Sequence, residues 1–370
     1  MQLTNRILIN REDAYVKYGL LLNADSLSQL VKQPSYKSIE TVDWHEEDGM
    51  RADLSDVHLA TRTIKLTFTA VRPSRGYPLA DSNGRLLVDS VARELHSIAN
   101  PGSMGSSAKM LVDYLTSRPY SPNTGETGYN YPAYPRAGVY IEFPLIGYEG
   151  YFRFLSSSSF STNRLFDTFT LQFIEDHPVI SQGTIPVPAH DANGNIIVGA
   201  DNQPIYIQTL IPVADYAVAS DYTISTPAGI FNIAAFGIYV LEGTRNSFLA
   251  PQSLKTAITT TNPLVGGNAM ILSYPGEKYS DITLKLHLRA NILDFWARWK
   301  CFWSVLTSTD SELGMNSALR TISAYGRTIS CYYKSCAVQK LMHTIEHNGQ
   351  HGLWCDFSVT FSVLKIEDED

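Results

Sequence analysis

The chain has 370 residues, which is enough for two domains or one large one, and 44% of them are hydrophobic while only 18% are charged. This balance excludes a disordered chain and permits a sizeable core. The formal net charge of −7, with no block of basic residues, argues against a nucleic-acid-reading protein, and no apolar run approaches membrane-spanning length.

Two stretches of the chain resemble each other without a gap. YGLLLNADSLSQLVKQPSYK (Tyr18 to Lys37) and FGIYVLEGTRNSFLAPQSLK (Phe236 to Lys255) have the same length, open aromatic-Gly-aliphatic and end in Lys. The spacing along the chain from Tyr18 to Phe236 is also the spacing from TIKLTFTA to DITLKLHL. Each of these two octapeptides has the alternating apolar pattern of a half-buried strand. We call this constant offset the repeat offset, and we predict from it an internal duplication of one domain.

The closing segments of the two copies also match. FTLQFI (Phe169 to Ile174) corresponds to VTFSVL (Val359 to Leu364), at an offset smaller than the repeat offset. The first copy therefore carries extra residues in its interior. Each copy is predicted to contain a strand pair, a long loop, a strand, a helix and a final antiparallel run.

The predicted helix is clearest in the second copy, in NILDFWARWKCFWSVLT. Apolar residues recur there at helical spacing after a predicted N-cap at Asn291, and we interpret the tryptophan stripe as core rather than as a ligand-stacking face. Its first-copy counterpart is predicted at Ser107 to Ser117.

Three segments follow from these patterns. We predict a mainly β protein with minor α: a first domain at residues 1–180 and a second at 229–370, each an antiparallel β-sandwich or split barrel with one packed helix. Residues 181–228 are predicted to form a bridging β-hairpin or linker, because Asn193-Gly194 between apolar runs is a strong hairpin signal.

The stretch HTIEHNGQH (His343 to His351) contains H-x-x-E-H, a spacing used by some zinc proteases when both histidines share a helical face. Its flanks alternate apolar and polar residues as strands do, and Asn348-Gly349 predicts a hairpin turn. We therefore predict neither a protease nor a metal site. The spacing of Cys331 and Cys336 would place their thiols on opposite faces of a strand.

The cysteines are confined to the end of the chain, at Cys301, Cys331, Cys336 and Cys355, and the first residues lack the apolar core of a signal peptide. A secreted disulfide scaffold has denser cysteines, so free thiols and synthesis in a cytosol are predicted.

The segment DWHEEDG (Asp43 to Gly49) gathers four acids beside His45. Paired carboxylates can perform acid–base chemistry or bind a hard cation. A run of adjacent acids before a glycine is more typical of an exposed loop, so no catalytic residue and no cofactor is predicted here.

The opening of the chain resembles a known family. ILIN, YVKYGLLL, DWHEEDGMRADLSD and TRTIKLTFTA, which lie between Ile7 and Ala70, look like the start of the distal tail proteins of long-tailed bacteriophages, members of the tail-tube fold group. The resemblance implies a structural protein of the virion tail, assembled in the host bacterial cytoplasm as a distal tail, baseplate or tail-tube component. It also implies no enzymatic activity, no membrane insertion, and a homo-oligomeric ring through which DNA passes without specific binding.

Two domains per chain allow a ring of three or of six chains, with other tail proteins (tube, hub, fibre or receptor-binding proteins) as partners. We predict contacts between subunits through strand edges and two long loops, Asp43 to Asp56 and Arg118 to Arg136. The candidate interface residues are Trp44, His45, Glu46, Glu47, Asp48, Tyr129, Tyr131, Tyr134, His347 and Asn348.

Two other functions stay open from the sequence. A pair of carbohydrate-binding β-sandwich modules could stack sugars on Tyr129, Tyr131 and Tyr134. A metal-dependent hydrolase would rest on the histidine cluster and on DWHEEDG.

Overall fold

Strands dominate the chain, as the sequence predicts. A computed structural model shows antiparallel sheets, including a curled half-barrel, with few helices, so the mainly β prediction is confirmed. The structure describes residues 7–15, 20–55, 57–71, 79–80, 86–87, 111–112, 115, 138–162, 166–175, 185–188, 197–199, 203, 205–209, 221–249, 252–255, 259–261, 269–271, 275–309, 315–345 and 351–368.

In chain order the described strands are β1 (Leu8–Ile9), β2 (Glu12–Asp13), β3 (Leu20–Leu22), β4 (Thr41–Val42), β5 (Arg51–Ala52), β6 (Arg62–Val71), β7 (Leu79–Ala80), β8 (Leu86–Leu87), β9 (Gly138–Phe143), β10 (Tyr148–Thr162), β11 (Phe166–Glu175), β12 (Ile185–Pro188), β13 (Tyr206–Thr209), β14 (Thr223–Thr226), β15 (Gly229–Asn232), β16 (Ile238–Val240), β17 (Ser253–Leu254), β18 (Thr259–Thr261), β19 (Ala269–Ile271), β20 (Glu277–Lys278), β21 (Ile282–Asn291), β22 (Arg320–Ala324), β23 (Arg327–Ile345) and β24 (His351–Asp368). Among the described residues, the α-helices with defined bounds are α1 (Ser28–Val31), α2 (Thr244–Phe248) and α3 (Ile292–Thr307), and 3-10 turns cover Ala24–Leu27 and Ile233–Phe236.

The chain divides into two units by its contacts. The first comprises Met1–Val31 and Thr61–Val179, and the second comprises Lys32–Ala60 and Ile180–Asp370. The segment Lys32–Ala60 therefore belongs to the second unit, although it lies between two strands of the first.

The first unit is built on a seven-stranded sheet in the order β2-β1-β9-β10-β11-β6-β3. The predicted alternation in β6 is confirmed, because Ile64, Leu66 and Phe68 are fully buried. They pair with apolar residues of β11, and the rings of Phe68 and Phe169 stack with centroids 5.6 Å apart. Burial of such alternating faces supplies the main favourable free energy of the sheet.

A buried ion pair lies in this unit beside its core. The Arg62 guanidinium donates through Nε to Glu175 at 2.8 Å, and Tyr148 donates its hydroxyl proton to the same carboxylate. Arg62 also donates to the Leu30 carbonyl. Burial raises the pKa of Tyr148 far above its usual value, while the nearby charge of Arg62 lowers it and that of Glu175 raises it further. A charged pair removed from water is stable only when its donors and acceptors are matched in this way.

The second unit repeats this arrangement of strands. Its sheet has the order β15-β14-β22-β23-β24-β21-β16, which matches the first sheet position by position. Leu20 is the first residue of the edge strand β3, and Ile238 is the first residue of the edge strand β16. The two residues are separated by the repeat offset. The correspondence agrees with the repeat in the sequence, and the duplication of one domain stays a prediction.

Helix α3 covers the inner face of the second sheet, and it begins where the sequence predicts. Asn291 is its N-cap, and its side-chain oxygen accepts the Asp294 N–H at 2.9 Å. The predicted core role of the aromatic stripe is confirmed, because these side chains are buried: Phe295, Trp296, Trp299, Phe302, Trp303 and Leu306. In the first unit, Leu111 and Leu115 are buried within the predicted helix.

The segment between the predicted domains contains a hairpin in which β12 pairs with β13. The N–H of Ile205 donates to the carbonyl of Ile197 nearer its end. The predicted turn at Asn193-Gly194 lies outside the described residues. The second sheet starts at Thr223, within the segment predicted as linker, because β14 pairs with β22.

The last two strands form a long hairpin, with His343 opposite Leu353 and Ile345 opposite His351. His343 therefore lies on a strand, as the sequence predicts. The prediction that Cys331 and Cys336 face opposite sides is wrong, because both are buried. A β-bulge between Tyr333 and Ser335 inserts one residue and returns Cys336 to the inner face.

Candidate functional site

A long hairpin that follows β3 in the chain belongs to the second unit and makes a well-defined contact there. We call residues 35–60 hairpin A. Its arms pair Tyr36 with Leu59 at the base and β4 with β5 further along, and its tip runs from Asp43 to Met50. Hairpin A belongs wholly to the second unit.

The base of hairpin A is anchored against helix α3 and strand β23. The Tyr36 hydroxyl donates to the Thr307 carbonyl at 3.0 Å, and the Tyr333 hydroxyl donates to the Gln33 carbonyl at 3.2 Å. The Tyr36 and Tyr333 rings meet edge to face at 5.7 Å. Burial raises the pKa of Tyr36 to about 12, so its hydroxyl stays protonated at neutral pH and serves as a donor.

The tip of hairpin A is bound by Lys255 of the second unit. The Lys255 ammonium donates to the carbonyls of Trp44 (2.6 Å), Glu47 (2.6 Å) and Gly49 (2.8 Å). It also lies 2.6 Å from a carboxylate oxygen of Asp43, and its side chain is only 7% exposed. A lysine ammonium has three donor protons, and here they meet carbonyls that converge on one point.

Backbone bonds complete the contact around this lysine. The Gly276 N–H donates to the His45 carbonyl at 2.8 Å, and the Gly49 N–H donates to the Glu277 carbonyl at 2.8 Å. The Asp48 carboxylate accepts the Glu277 N–H at 2.8 Å. The tip is thus recognised mainly through its main chain, which fixes its shape more than its side-chain identity.

Two glycines allow these segments of the chain to approach each other this closely. A Cβ placed on Gly49 would lie 1.8 Å from the Leu364 carbonyl oxygen, and one on Gly276 would lie 2.2 Å from the Glu47 carbonyl oxygen. Gly49 also has φ +70°, a conformation that other residues rarely adopt. Glycine is therefore required at position 49 for two independent reasons.

The structure describes half of the predicted interface residues, and these lie together at this tip. Trp44 is 58% exposed, Glu46, Glu47 and Asp48 are exposed, and His45 is partly buried. Glu47 pairs with Arg51 at 2.8 Å. The other predicted residues lie outside the described part of the chain: Tyr129, Tyr131, Tyr134, His347 and Asn348.

Sequence reasoning missed the residues that receive the tip, which are Lys255, Gly276 and Glu277. A signal was present, because Lys255 is the lysine that ends the second copy of the repeat and Lys37 ends the first. Only the folded structure shows that one of these two lysines binds the loop that follows the other.

The second unit has a hairpin equivalent to hairpin A, at residues 253–278, which we call hairpin B. Leu254 pairs with Glu277 at its base. Counted by the repeat offset, these two residues correspond to Tyr36 and Leu59, which pair at the base of hairpin A. The arms β18 and β19 of hairpin B also pair antiparallel, but one residue out of the register that the repeat offset predicts from β4 and β5. Hairpin A therefore docks on the base of its own structural counterpart.

A separate pocket of about 460 Å³ lies beside β16, the edge strand of the second sheet. Its polar walls include Asp221, Glu242 and Arg245, and the Arg245 guanidinium lies 5.1 Å from the centre of the Tyr325 ring. Burial, followed by a hydrogen bond with Tyr325, raises the pKa of Tyr222 well above its usual value. The pocket therefore offers aromatic walls and charges of both signs.

The cysteines do not form a reactive site in the described structure. Cys301, Cys331, Cys336 and Cys355 are buried free thiols, and burial raises the pKa of Cys336 to about 12. Among the described residues, no group of three or more His, Cys, Asp or Glu side chains is arranged to hold a metal ion.

Within the same described residues, no helix has the length and apolar character needed to cross a lipid bilayer.

A scan against protein-family models and a search of curated proteins found no match to the chain.

Proposed function

We propose that the chain is a structural subunit of a bacteriophage tail, at the distal tail, baseplate or tube, and that it assembles into a ring around a channel for DNA. The observation that carries the proposal is hairpin A. It leaves the sheet of the first unit and is held in the second by Lys255 and by backbone bonds. A recognition surface made of main-chain groups and a buried cation suits permanent assembly better than turnover of a substrate.

The edges of the two sheets supply the second part of the proposal. The terminal strands are β2 and β3 in the first sheet and β15 and β16 in the second. Ile230 on β15 is 73% exposed and Tyr239 on β16 is 42% exposed. Exposed edges with apolar side chains invite pairing with another chain, and a closed ring removes such edges.

Two equivalent sheets per chain set the geometry of the ring. Three chains would provide six similar positions, and six chains would provide twelve. The net charge of −7 suits a channel that lets DNA pass, because a strongly basic lumen would retain phosphates.

The test is the mass and shape of the purified chain, from light scattering and negative-stain images. We expect rings with a central hole at three or six times 41.1 kDa. Particles without a hole, or a chain that stays monomeric at every concentration, would contradict the proposal.

A matched pair of variants sharpens this test. Ile230→Lys places a charge on the edge strand β15 and is expected to abolish the rings. Leu155→Lys places the same charge on β10, in the middle of the first sheet, where Leu155 is 50% exposed, and is expected to leave them intact. Equal loss of rings in both variants would argue against edge pairing.

The carbohydrate-binding alternative is the runner-up. Its three tyrosines, Tyr129, Tyr131 and Tyr134, lie outside the described residues, so no contact of theirs favours it. A glycan array probed with the wild-type chain and with Tyr131→Ala tests it directly, since binding that the substitution removes would support this function.

A further inference from the structure

We propose that the pocket beside β16 is a saccharide-binding site, which takes one sugar ring inside and continues across the face of the second sheet opposite helix α3. The inference goes beyond the ring function and does not depend on it, because every residue involved lies in the second unit. It is also separate from the carbohydrate-binding alternative above, whose tyrosines lie elsewhere in the chain.

The pocket combines an accessible aromatic ring with planar polar groups. Its volume of about 460 Å³ falls within the range of roughly 300–1,000 Å³ that small-molecule sites occupy. Tyr239 on its wall is 42% exposed, and Glu242 and Asn246 on the same wall are exposed as well. A sugar ring has an apolar C–H face that packs on an aromatic ring, and hydroxyls at its edge that pair with carboxylate and amide groups. The lining therefore matches both parts of a sugar.

The charges of the pocket favour a neutral sugar over a phosphate or a nucleic acid. Asp221 and Glu242 place two carboxylates on the wall, and Arg245 is the one cation among the described lining residues. The Arg245 guanidinium lies 5.1 Å from the centre of the Tyr325 ring, which supports it from one side. Two carboxylates against one guanidinium repel an anion, whereas sugar hydroxyls can donate to the acids and accept from the arginine.

The first unit has the same backbone arrangement at the equivalent place. The Thr67 N–H donates to the Ser26 hydroxyl oxygen at 2.8 Å, and the Lys285 N–H donates to the Thr244 hydroxyl oxygen at 2.8 Å. Counted by the repeat offset, Thr67 corresponds to Lys285, and Ser26 corresponds to Thr244. The segment that lines the pocket is therefore bound to its sheet in the same way as its counterpart in the first unit.

The aromatic and charged side chains of the pocket are not repeated in that counterpart. By the same offset, Leu21 stands at the position of Tyr239, and Leu27 stands at the position of Arg245. Leu27 is buried, whereas Arg245 is exposed. The backbone arrangement therefore forms equally well with apolar residues at these two positions. The ring and the charge in the second unit are not needed for the fold and are available to a ligand.

The wall formed by Tyr239 continues into a row of rings on the face of the sheet opposite helix α3. The centroid of the Tyr239 ring lies 6.2 Å from that of His287, which in turn lies 5.7 Å from that of Trp354. The Asp356 carboxylate lies 2.6 Å from Nδ1 of His287 and orients the imidazole. The row extends the stacking surface beyond the pocket, so an oligosaccharide gains contacts that a monosaccharide lacks.

A glycan array followed by calorimetric titration tests the site. The array carries mono- to tetrasaccharides of glucose, galactose, rhamnose and N-acetylglucosamine, and it is probed with the full wild-type chain. We expect binding to at least one of these sugars, with the tetrasaccharide bound roughly tenfold more tightly than its monosaccharide. Failure to bind any of them would overturn the inference.

Two variants locate the bound sugar. Glu242→Gln removes a charged acceptor from the pocket, so we expect roughly tenfold weaker binding of the monosaccharide and the tetrasaccharide alike. Trp354→Ala removes the distant ring and should weaken only the tetrasaccharide. Glu367→Gln, at an exposed carboxylate paired with Lys365, is the control and should change neither affinity. Because Glu242 is exposed, its variant stays informative if Trp354→Ala fails to fold.

The outcomes separate this site from the alternatives. Binding lost in Tyr131→Ala but kept in Glu242→Gln would place the sugar on the runner-up surface and overturn the inference. Rings lost in Glu242→Gln with sugar binding kept would make the pocket a contact between subunits, which also overturns it. A folded Trp354→Ala that binds the tetrasaccharide normally would contradict the extension across the sheet. Sugar binding by a wild-type chain that forms no rings would contradict only the proposed function.

Discussion

The ammonium of Lys255 lies 2.6 Å from a carboxylate oxygen of Asp43, and both belong to hairpins at equivalent places in the two halves of the chain. The lysine also binds three carbonyls of the same turn. Lys255 therefore binds the main chain of a loop that the sequence predicts only to be acidic and exposed.

Lys255→Met should destabilise the second unit. The change removes the charge from a nearly buried site and leaves three carbonyls without their donor, so we expect a loss of about 2–3 kcal/mol in the free energy of unfolding. Urea denaturation measures it. Lys365→Met, at an exposed lysine paired only with Glu367, should leave the denaturation midpoint unchanged. Equal midpoints for both variants would show that Lys255 does not hold the tip.

Gly49→Ala and Gly326→Ala form a matched pair with almost the same backbone angle, φ +70° and +71°. Both variants incur the left-handed conformation, which costs about 1–2 kcal/mol. Only at Gly49 does the added Cβ meet a backbone oxygen, that of Leu364, while Gly326 has open space around it. We expect Gly49→Ala to be clearly the more destabilising in urea, with faster amide exchange at Met50 by NMR. Equal destabilisation of the two variants would mean that the tip is not docked on β24.

Arg62→Met should destabilise the first unit strongly, because it leaves the Glu175 carboxylate buried without its cation. Breaking one side of such a pair costs about 3–5 kcal/mol, whereas replacing both partners with apolar groups can be nearly neutral. Arg62→Met with Glu175→Leu is therefore expected to be more stable than Arg62→Met alone. Calorimetric melting temperatures measure the order, and a double variant that melts below the single one would contradict it.

Stability should fall at alkaline pH. Burial raises the pKa of Tyr36 to about 12, above its ordinary value of 10.0, so the neutral hydroxyl is favoured in the folded state. Its contribution is fully present below pH 10 and is lost as pH rises from 10 towards 12, by up to about 1.4 kcal/mol per pH unit. Urea midpoints at several pH values measure it. Tyr36→Phe should show a shallower decline over this range, and an identical slope would exclude Tyr36 as a contributor.

The four thiols should resist alkylation in the folded chain. All are buried, and burial raises the pKa of Cys336 to about 12, so the reactive thiolate is scarce at neutral pH. Iodoacetamide followed by mass measurement should show slow labelling under native conditions and four additions in denaturant. Rapid labelling of Cys336 without denaturant would show that the inner face of β23 opens.

Local sequence patterns predicted the parts of the fold that depend on near neighbours. The helix beginning after Asn291 follows from its cap and from apolar spacing, and the strand through Phe357 and Val359 follows from strict alternation. The bulge that turns Cys336 inwards was not predicted, because an extra residue in one strand is defined only by its partner strand. The same holds for the contact of Lys255 with Asp43, which depends on the pairing of distant segments.

The acidic tip shows how a correct local prediction can leave out the function of a segment. The side chains of Trp44, Glu46 and Glu47 are exposed, as expected for a loop. The backbone of the same loop, however, is bound by Lys255, Gly276 and Glu277. Side-chain polarity is visible in a sequence, whereas the use of main-chain groups is not.

The placement of hairpin A also has a consequence for how the chain is made. Gly49 leaves the ribosome long before its partners Lys255 and Leu364, which lie in the second half of the chain. At a synthesis rate of roughly 5–20 residues per second, the tip would wait on the order of 15–60 s before β24 exists to receive it. During that interval the carbonyls of Trp44, Glu47 and Gly49 lack the lysine that binds them in the folded chain. The acidic, strongly hydrated tip would then keep the nascent hairpin from premature association with neighbouring nascent chains.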